Sequence, residues 1–269
     1  MNNRIKIFLF LSLLLISGAC ENIFEYSPYA IDFSNENKNI NQRNIDRLLS
    51  TKTDDTIKIA LTADNHRWYD ELGKFAKAVN KIPSVDFSIH GGDIADFGLP
   101  QQYIWSNSYL LNLNKPYFVV IGNHDLVGNG GDAYQEMFGK FDFSFIYSNT
   151  KFVFINTNSR EFKFNGTVPD INWLDNQLKP DTNFNKAVVI FHVPPMDSDF
   201  DPLLERDFQQ TLAKYDNVLL TIHGHLHHFE VYKPYADSIT YLNTYGAQYN
   251  KYVILNIIND KYEIEEKDF

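Results

Sequence analysis

Residues 116–125 read Pro-Tyr-Phe-Val-Val-Ile-Gly-Asn-His-Asp. The first six form a short apolar run, rich in aromatic and β-branched side chains, as a buried strand requires. The run ends at Gly122, and Asn123, His124 and Asp125 follow at once. The same arrangement recurs on either side. Residues 57–62 are an apolar β-like run ending at Asp64, with His66 two places on. Residues 86–90 lead into Gly91-Gly92-Asp93. Farther along, 187–191 end at His192, and 218–222 end at His223, with His225 and His227 beyond. Polar, ligand-type side chains thus follow strand after strand. In open α/β sheets, ligand sites lie just beyond the carboxyl ends of the strands.

Helical patterns separate the strands. Residues 72–80 are amphipathic, and 101–113 also read as a helix. Asp132 is expected to cap a helix over 133–138 that Gly139 closes. Residues 143–147 and 151–156 predict two strands joined by Ser148-Asn149-Thr150. Residues 171–178 look helical, and Pro180 stops them. In the tail, runs at 239–242, 252–258 and 262–264 predict antiparallel strands. Strand and helix alternation with a β-rich end is an α/β fold.

The chain has 269 residues, enough for one sizeable core in one domain of the larger sort. Hydrophobic residues at 44% against 22% charged exclude a wholly disordered or collagen-like chain. With Phe at 22 and Tyr at 16, the core is expected to be aromatic-rich. The formal net charge of −10 argues against binding nucleic-acid polymers, which needs Lys and Arg to replace phosphate counterions. Small phosphorylated molecules remain open, because a metal ion supplies local positive charge.

Cys20 is the one cysteine, so no disulfide forms within the chain. Before it come Arg4 and Lys6, an apolar run over 7–16, and Ser17-Gly18-Ala19, a secretory pattern with small residues at the cut. The run is about half the ~20 residues needed to span a bilayer. The stretch Ile16-Ser17-Gly18-Ala19-Cys20 resembles a bacterial lipobox, with Ser17 where Leu is commoner. That resemblance implies a lipidated Cys20, removal of 1–19, and a chain held at the cell envelope. Residues 20–56 then read as a polar, Asn-rich lead-in, and 57–269 as the functional domain. Ile40, Ile45, Leu48 and Leu49 would share one face of a short helix near 41–50; whether the rest of the lead-in packs on the domain stays open.

The strand-end residues are Asp64 and His66, Asp93, Asn123 and His124, His192, and His225 and His227. Five imidazoles, two carboxylates and an amide suit Zn, Mn or Fe better than Ca or Mg alone. They are too many for one tetrahedral ion and about enough for two. Asp93, central among the motifs, is the natural bridge.

The five blocks are Asp64-Asn65-His66, Gly92-Asp93, Gly122-Asn123-His124-Asp125, His192, and Gly224-His225-Leu226-His227. In this order they resemble the calcineurin-like metallophosphoesterases over roughly residues 57–230. The resemblance implies a four-layer α/β-β/α sandwich and a pair of divalent metal ions, Mn, Fe or Zn. The first ion would take Asp64, His66, His227 and Asp93. The second would take Asp93, Asn123, His192 and His225. His124 would not be a ligand but would assist the leaving group, and Asp125 would orient it. A hydroxide between the ions would attack phosphorus in line, giving hydrolysis of phosphate esters, with diesters favoured.

No Tyr follows Asp93 where a purple acid phosphatase has one, and the chain lacks the length of the large periplasmic nucleotidases. The compact form is similar to stand-alone phosphodiesterases, including those acting on cyclic nucleotides. A phosphomonoesterase, or action on phospholipid headgroups, stays open. So does a non-catalytic binding lipoprotein, although it would have no need of His124. A hydrolase of another bond, such as an amide, would typically lack the Gly-Asn-His-Asp block. Around these blocks, Arg67 is either a substrate-phosphate contact or a surface ion pair. Trp68, Tyr69 and Trp105 either stack on a base or pack in the core. His90 and His223 flank motifs, whereas His228 reads as solvated. Asp197, Asp199 and Asp201 form a rim loop or simply a solvated one.

Overall fold

The structure is a computed structural model that describes residues 27–51 and 56–269. Cys20 and the leader lie outside the described residues. Everything below belongs to the unit Ile31–Phe269.

The strands are β1 (Thr56–Thr62), β2 (Phe87–His90), β3 (Tyr117–Val119), β4 (Phe143–Tyr147), β5 (Thr150–Phe154), β6 (Lys186–Ile190), β7 (Val218–His223), β8 (Glu230–Tyr232), β9 (Tyr241–Asn243), β10 (Lys251–Ile258) and β11 (Lys261–Asp268). One sheet has the order β11-β10-β1-β2-β3, and the other β4-β5-β6-β7-β9-β8. Strands β1, β2 and β3 run parallel, with Thr62 opposite His90 and His90 opposite Val119. Strands β5, β6, β7 and β9 are likewise parallel. The carboxyl ends of the parallel strands in each sheet therefore share an edge.

Period-two patterning explains the layering. Ile57, Ile59 and Leu61 of β1 enter an apolar core with Phe87, Ile89 and Phe118, facing Phe152, Phe154, Val188, Ile190, Leu220 and Ile222 of the other sheet. Ala60 and Val119 face the opposite way, onto α2 (Tyr69–Val79), α3 (Pro100–Leu110) and α4 (Gly130–Phe138). On the far side, Val153, Val189 and Phe191 pack against α5 (Ile171–Leu178) and α6 (Glu205–Ala213). Helices, two sheets and helices again make the four-layer α/β-β/α sandwich.

Strand β3 ends its sheet, and its outer edge needs hydrogen-bond partners. Helix α1 (Ile40–Leu49), in the lead-in, supplies them. The Asn41 amide receives Val119 N–H and donates to Val119 C=O, each at 3.0 Å, as a neighbouring strand would. Asn44 donates to Tyr117 C=O at 2.8 Å. Ile40, Ile45 and Leu48 are buried as expected, but Leu49 is 52% exposed; two asparagines complete the buried face instead.

Three elements differ from the sequence reading. Helix α4 starts at Gly130, so Asp132 lies in its first turn and does not cap it. Strand β9 pairs antiparallel with β8 but parallel with β7, because the segment crosses back to extend the sheet. Helix α6 was not anticipated; its apolar face rests on few side chains, chiefly Phe208 and Leu212. By contrast, the turn at Ser148 and Asn149 has φ of 48° and 59°, the left-handed pair of a tight hairpin.

Replacing Asn41 with Ala leaves the buried Val119 N–H unpaired and its C=O with the Tyr134 hydroxyl alone, at 2.6 Å. Unfolding stability is expected to drop by about 1–3 kcal/mol, measured as the urea midpoint at unchanged m-value. An unchanged midpoint would show that the helix does not seal this edge.

Candidate active site

Each strand-end block sits on the loop that leaves the carboxyl end of its strand, and the backbone there is unusual. Asp64, His66, Asp93, His225 and His227 all have positive φ, between 43° and 74°. Left-handed backbone is costly for such side chains and persists only where the surroundings over-determine it. Glycines make room for it. A Cβ on Gly92 would collide with the His192 ring, and one on Gly122 with the Asp93 backbone and carboxylate.

The side chains converge as two overlapping sets. In the first, Asp64 Oδ1 lies 3.3 Å from His227 Nε2, and the Nε2 atoms of His66 and His227 are 3.5 Å apart. In the second, His192 Nε2 lies 3.2 Å from Asp93 Oδ2 and 3.0 Å from Asn123 Oδ1. His225 Nδ1 approaches the same Asn123 oxygen at 3.2 Å. Asp93 belongs to both sets, since its Oδ2 is also 3.8 Å from His66 Nε2. All seven expected ligands are thus brought together.

The donor chemistry fits divalent ions. His192 Nδ1 is 2.7 Å from Gly91 C=O, a contact that requires its N–H there. In the neutral ring, Nε2 then carries a lone pair and faces the oxygens of Asn123 and Asp93, with Asp64 Oδ1 at 3.9 Å. Acceptors packed against acceptors in a buried site call for a cation. The proton balance shows the same demand. Burial pulls the His192 pKa down, yet Asp93 and then Asp64 push it up to about 10. Burial raises the Asp93 pKa, but His192 and His66 hold it well below the carboxylate range. Among the described residues, Asp64-His66-His227 and Asp64-Asp93-His192 each have ligand atoms mutually within 4.8 Å, close enough to hold an ion.

His124 stands beside the first set, its ring 4.6 Å from that of His66 and edge-on to it. Its backbone N–H binds Asp93 Oδ1 at 2.9 Å. Its ring is not held by Asp125, as the sequence reading expected. The buried Asp125 carboxylate receives the N–H groups of Gly122 (2.9 Å) and Ala95 (2.8 Å), tying the loops after β2 and β3 together. The ring instead meets Asp96: His124 Nδ1 is 2.9 Å from Asp96 C=O and 3.6 Å from Asp96 Oδ1. Asp96 also lies 3.5 Å from His66 Nδ1 and binds Arg67 Nε at 2.8 Å. Sequence reasoning did not single out Asp96, although it stands only three places after Asp93.

Other flanking residues divide. Arg67 is 71% exposed but engaged with Asp96. Trp68 and Trp105 are half-exposed, and Tyr69 packs on Trp105 and Tyr109. His90 is buried, its ring nitrogens lacking hydrogen-bond partners among the described residues, and burial lowers its pKa to about 4. His223 binds Tyr232 and stacks on Phe191, which accounts for it structurally. His228 pairs with Glu230 at the surface. Asp199 and Asp201 are buried, so the loop after Pro195 is not simply solvated.

Comparison with known proteins agrees with this geometry. The family model for the calcineurin-like phosphoesterase domain matches residues 57–229. A probable cyclic nucleotide phosphodiesterase of Coxiella burnetii is 28% identical over 65% of this chain and 77% of its own length. A 3',5'-cyclic-nucleotide phosphodiesterase of Nostoc is 24% identical over 62% of this chain and 64% of its own. A dimetal phosphatase from Danio rerio shares the fold, with a TM-score of 0.65 and 13% identity over 79% of this chain and 96% of its own. Strand-end blocks, converging ligands and family match lead to one conclusion: the chain belongs to the calcineurin-like phosphoesterases and is a hydrolase of phosphoric esters.

Proposed function

We propose that this chain is a two-ion phosphodiesterase acting on small substrates. The observation that carries this reading is the shared position of Asp93, whose carboxylate lies between His66 and His192. Asp64, His66, His227 and Asp93 would hold one ion, and Asp93, Asn123, His192 and His225 the other. A pair of Mn, Fe or Zn ions there would offset the negative charge of the ester and make water a better nucleophile at neutral pH.

The remaining chemistry belongs to the chain. With its Nδ1–H on Asp96 C=O, His124 keeps Nε2 for the substrate. When protonated, that nitrogen can deliver a proton to the departing alkoxide, a contribution of roughly 10²–10⁴-fold. Asp125 fixes the loop that carries His124, and Asp96 fixes its ring. Arg67 is a candidate contact for a phosphate oxygen, limited by its pairing with Asp96.

Two features support a diester. Asp197, which has no Lys or Arg partner among the described ion pairs, flanks a ligand histidine at 3.4 Å from His225. Such negative charge repels a doubly charged monoester more than a singly charged diester. The exposed apolar side chains of Trp68, Phe97, Val127 and Met196 lie on the ligand-bearing loops, where a second ester group would need cover. The names of the Coxiella and Nostoc relatives support cyclic nucleotides as the first substrates to screen.

We also carry forward a lipid anchor at Cys20, which would place the domain at a bacterial envelope membrane. No described helix is long and apolar enough to cross a membrane. Labelling with a radioactive fatty acid is expected in the wild type and absent in Cys20→Ser; equal labelling would remove the anchor.

For the catalytic reading, protein comprising residues 21–269 is loaded with Mn and assayed on bis-p-nitrophenyl phosphate and p-nitrophenyl phosphate. Metal-dependent turnover favouring the diester is expected. Preference for the monoester would make the protein a phosphatase, and no turnover on either would contradict the enzyme. Asp93→Asn is expected to lose metal and activity together. His124→Ala should keep its metal yet lose about 10²-fold or more on esters with poor leaving groups. Full activity of that variant on those esters would remove His124 from proton transfer.

A further inference from the structure

One charged group beside the ligand histidines also bears on how the second ion would be held. Asp197 Oδ1 lies 3.4 Å from His225 Nε2, and Asp199 Oδ2 lies 3.9 Å from the same atom. The other ring nitrogen, Nδ1, faces Asn123 Oδ1 at 3.2 Å. The His225 ring therefore stands between two carboxylates on one side and a fellow metal donor on the other. A neutral imidazole has a single N–H, and the nitrogen without it is the one able to ligate.

We propose that Asp197 is a positioning residue that takes the Nε2–H of His225 and so keeps Nδ1 as the ligating nitrogen of the second ion. The inference rests on the two-ion reading given above.

The surroundings of Asp197 favour this role. Its Oδ1 also receives Asp199 N–H at 2.9 Å, which fixes the carboxylate on its loop. The preceding residue, Met196, has φ of 71°, so the turn that presents Asp197 is a built feature of the backbone. Asp199 already has a cation, since Arg160 Nη1 binds its Oδ1 at 2.7 Å and Arg160 N–H binds its carbonyl at 3.1 Å. Among the described ion pairs, Asp197 has only His225.

A competing reading makes Asp197, Asp199 and His225 a separate cation site, because their ligand atoms also lie within 4.8 Å of one another. One fact weighs against it: the Arg160 guanidinium already occupies Asp199, with Nη1 2.7 Å from its Oδ1. Carboxylates that fix ligand histidines in this way typically account for 10–100-fold in metal affinity.

The test is a titration of metal-free wild type, Asp197→Ala and Asp197→Asn with Mn²⁺, following stoichiometry and both dissociation constants by calorimetry. Wild type is expected to bind two ions. Asp197→Ala should weaken the second about 10–100-fold and leave the first unchanged. Asp197→Asn, whose amide oxygen still accepts a hydrogen bond, should restore most of the loss. Unchanged second-ion affinity in Asp197→Ala overturns the proposal. So does an equal loss of both ions, the signature of general damage, or a third wild-type ion that Asp197→Ala removes. A wild type that binds fewer than two ions overturns the two-ion reading itself, and the proposal with it.

Discussion

The Asp93 carboxylate is the constraint on which the rest of the site depends. It is buried, it receives the His124 N–H, and it lies within 4 Å of two ligand histidines from opposite sheets. Bringing buried Asp64, Asp93, Asn123 and His192 into contact with the half-buried His66, His225 and His227 costs both desolvation and mutual repulsion. In the absence of metal, a proton on His192 partly offsets that repulsion; a divalent ion would do so more fully. Left-handed backbone at five ligands adds to that cost, and glycines at 92 and 122 admit the close approaches.

The fold makes such a convergence possible by aligning strand ends. The parallel registers of β1, β2 and β3 in one sheet, and of β6 and β7 in the other, put the ligand loops at shared edges. An aromatic core between the sheets, with Phe87 touching Phe118, Phe145 and Phe152, holds those edges together. Helix α1 closes the open side of β3, immediately upstream of the loop carrying Asn123 and His124. The short helix of the polar lead-in therefore has a structural task close to the site.

Much of this was legible in the sequence because strand patterning and ligand chemistry coincide. Apolar runs ending in Asp, Asn or His marked the strands, their direction and the site at once. What escaped notice depended on contacts between distant segments. Asp96 reads as one more loop acid until the fold brings it to His66 and His124. Asp125, beside His124 in sequence, turns its carboxylate toward Gly122 and Ala95 instead. Asn41 and Asn44 read only as part of an Asn-rich lead-in, because it is the edge of β3 that gives them a buried role. The parallel pairing of β9 was hidden for the same reason: alternation reveals a strand but not its neighbour.

The central claim is that one carboxylate joins two ions, and electron paramagnetic resonance of the manganese-loaded protein addresses it most directly. Two Mn²⁺ ions bridged by Asp93 are expected to give the multiline spectrum of an exchange-coupled pair. The same pair should collapse to isolated Mn²⁺, or disappear, in Asp93→Asn. A wild-type spectrum of one uncoupled ion, or a coupled pair that survives Asp93→Asn, would contradict the bridge.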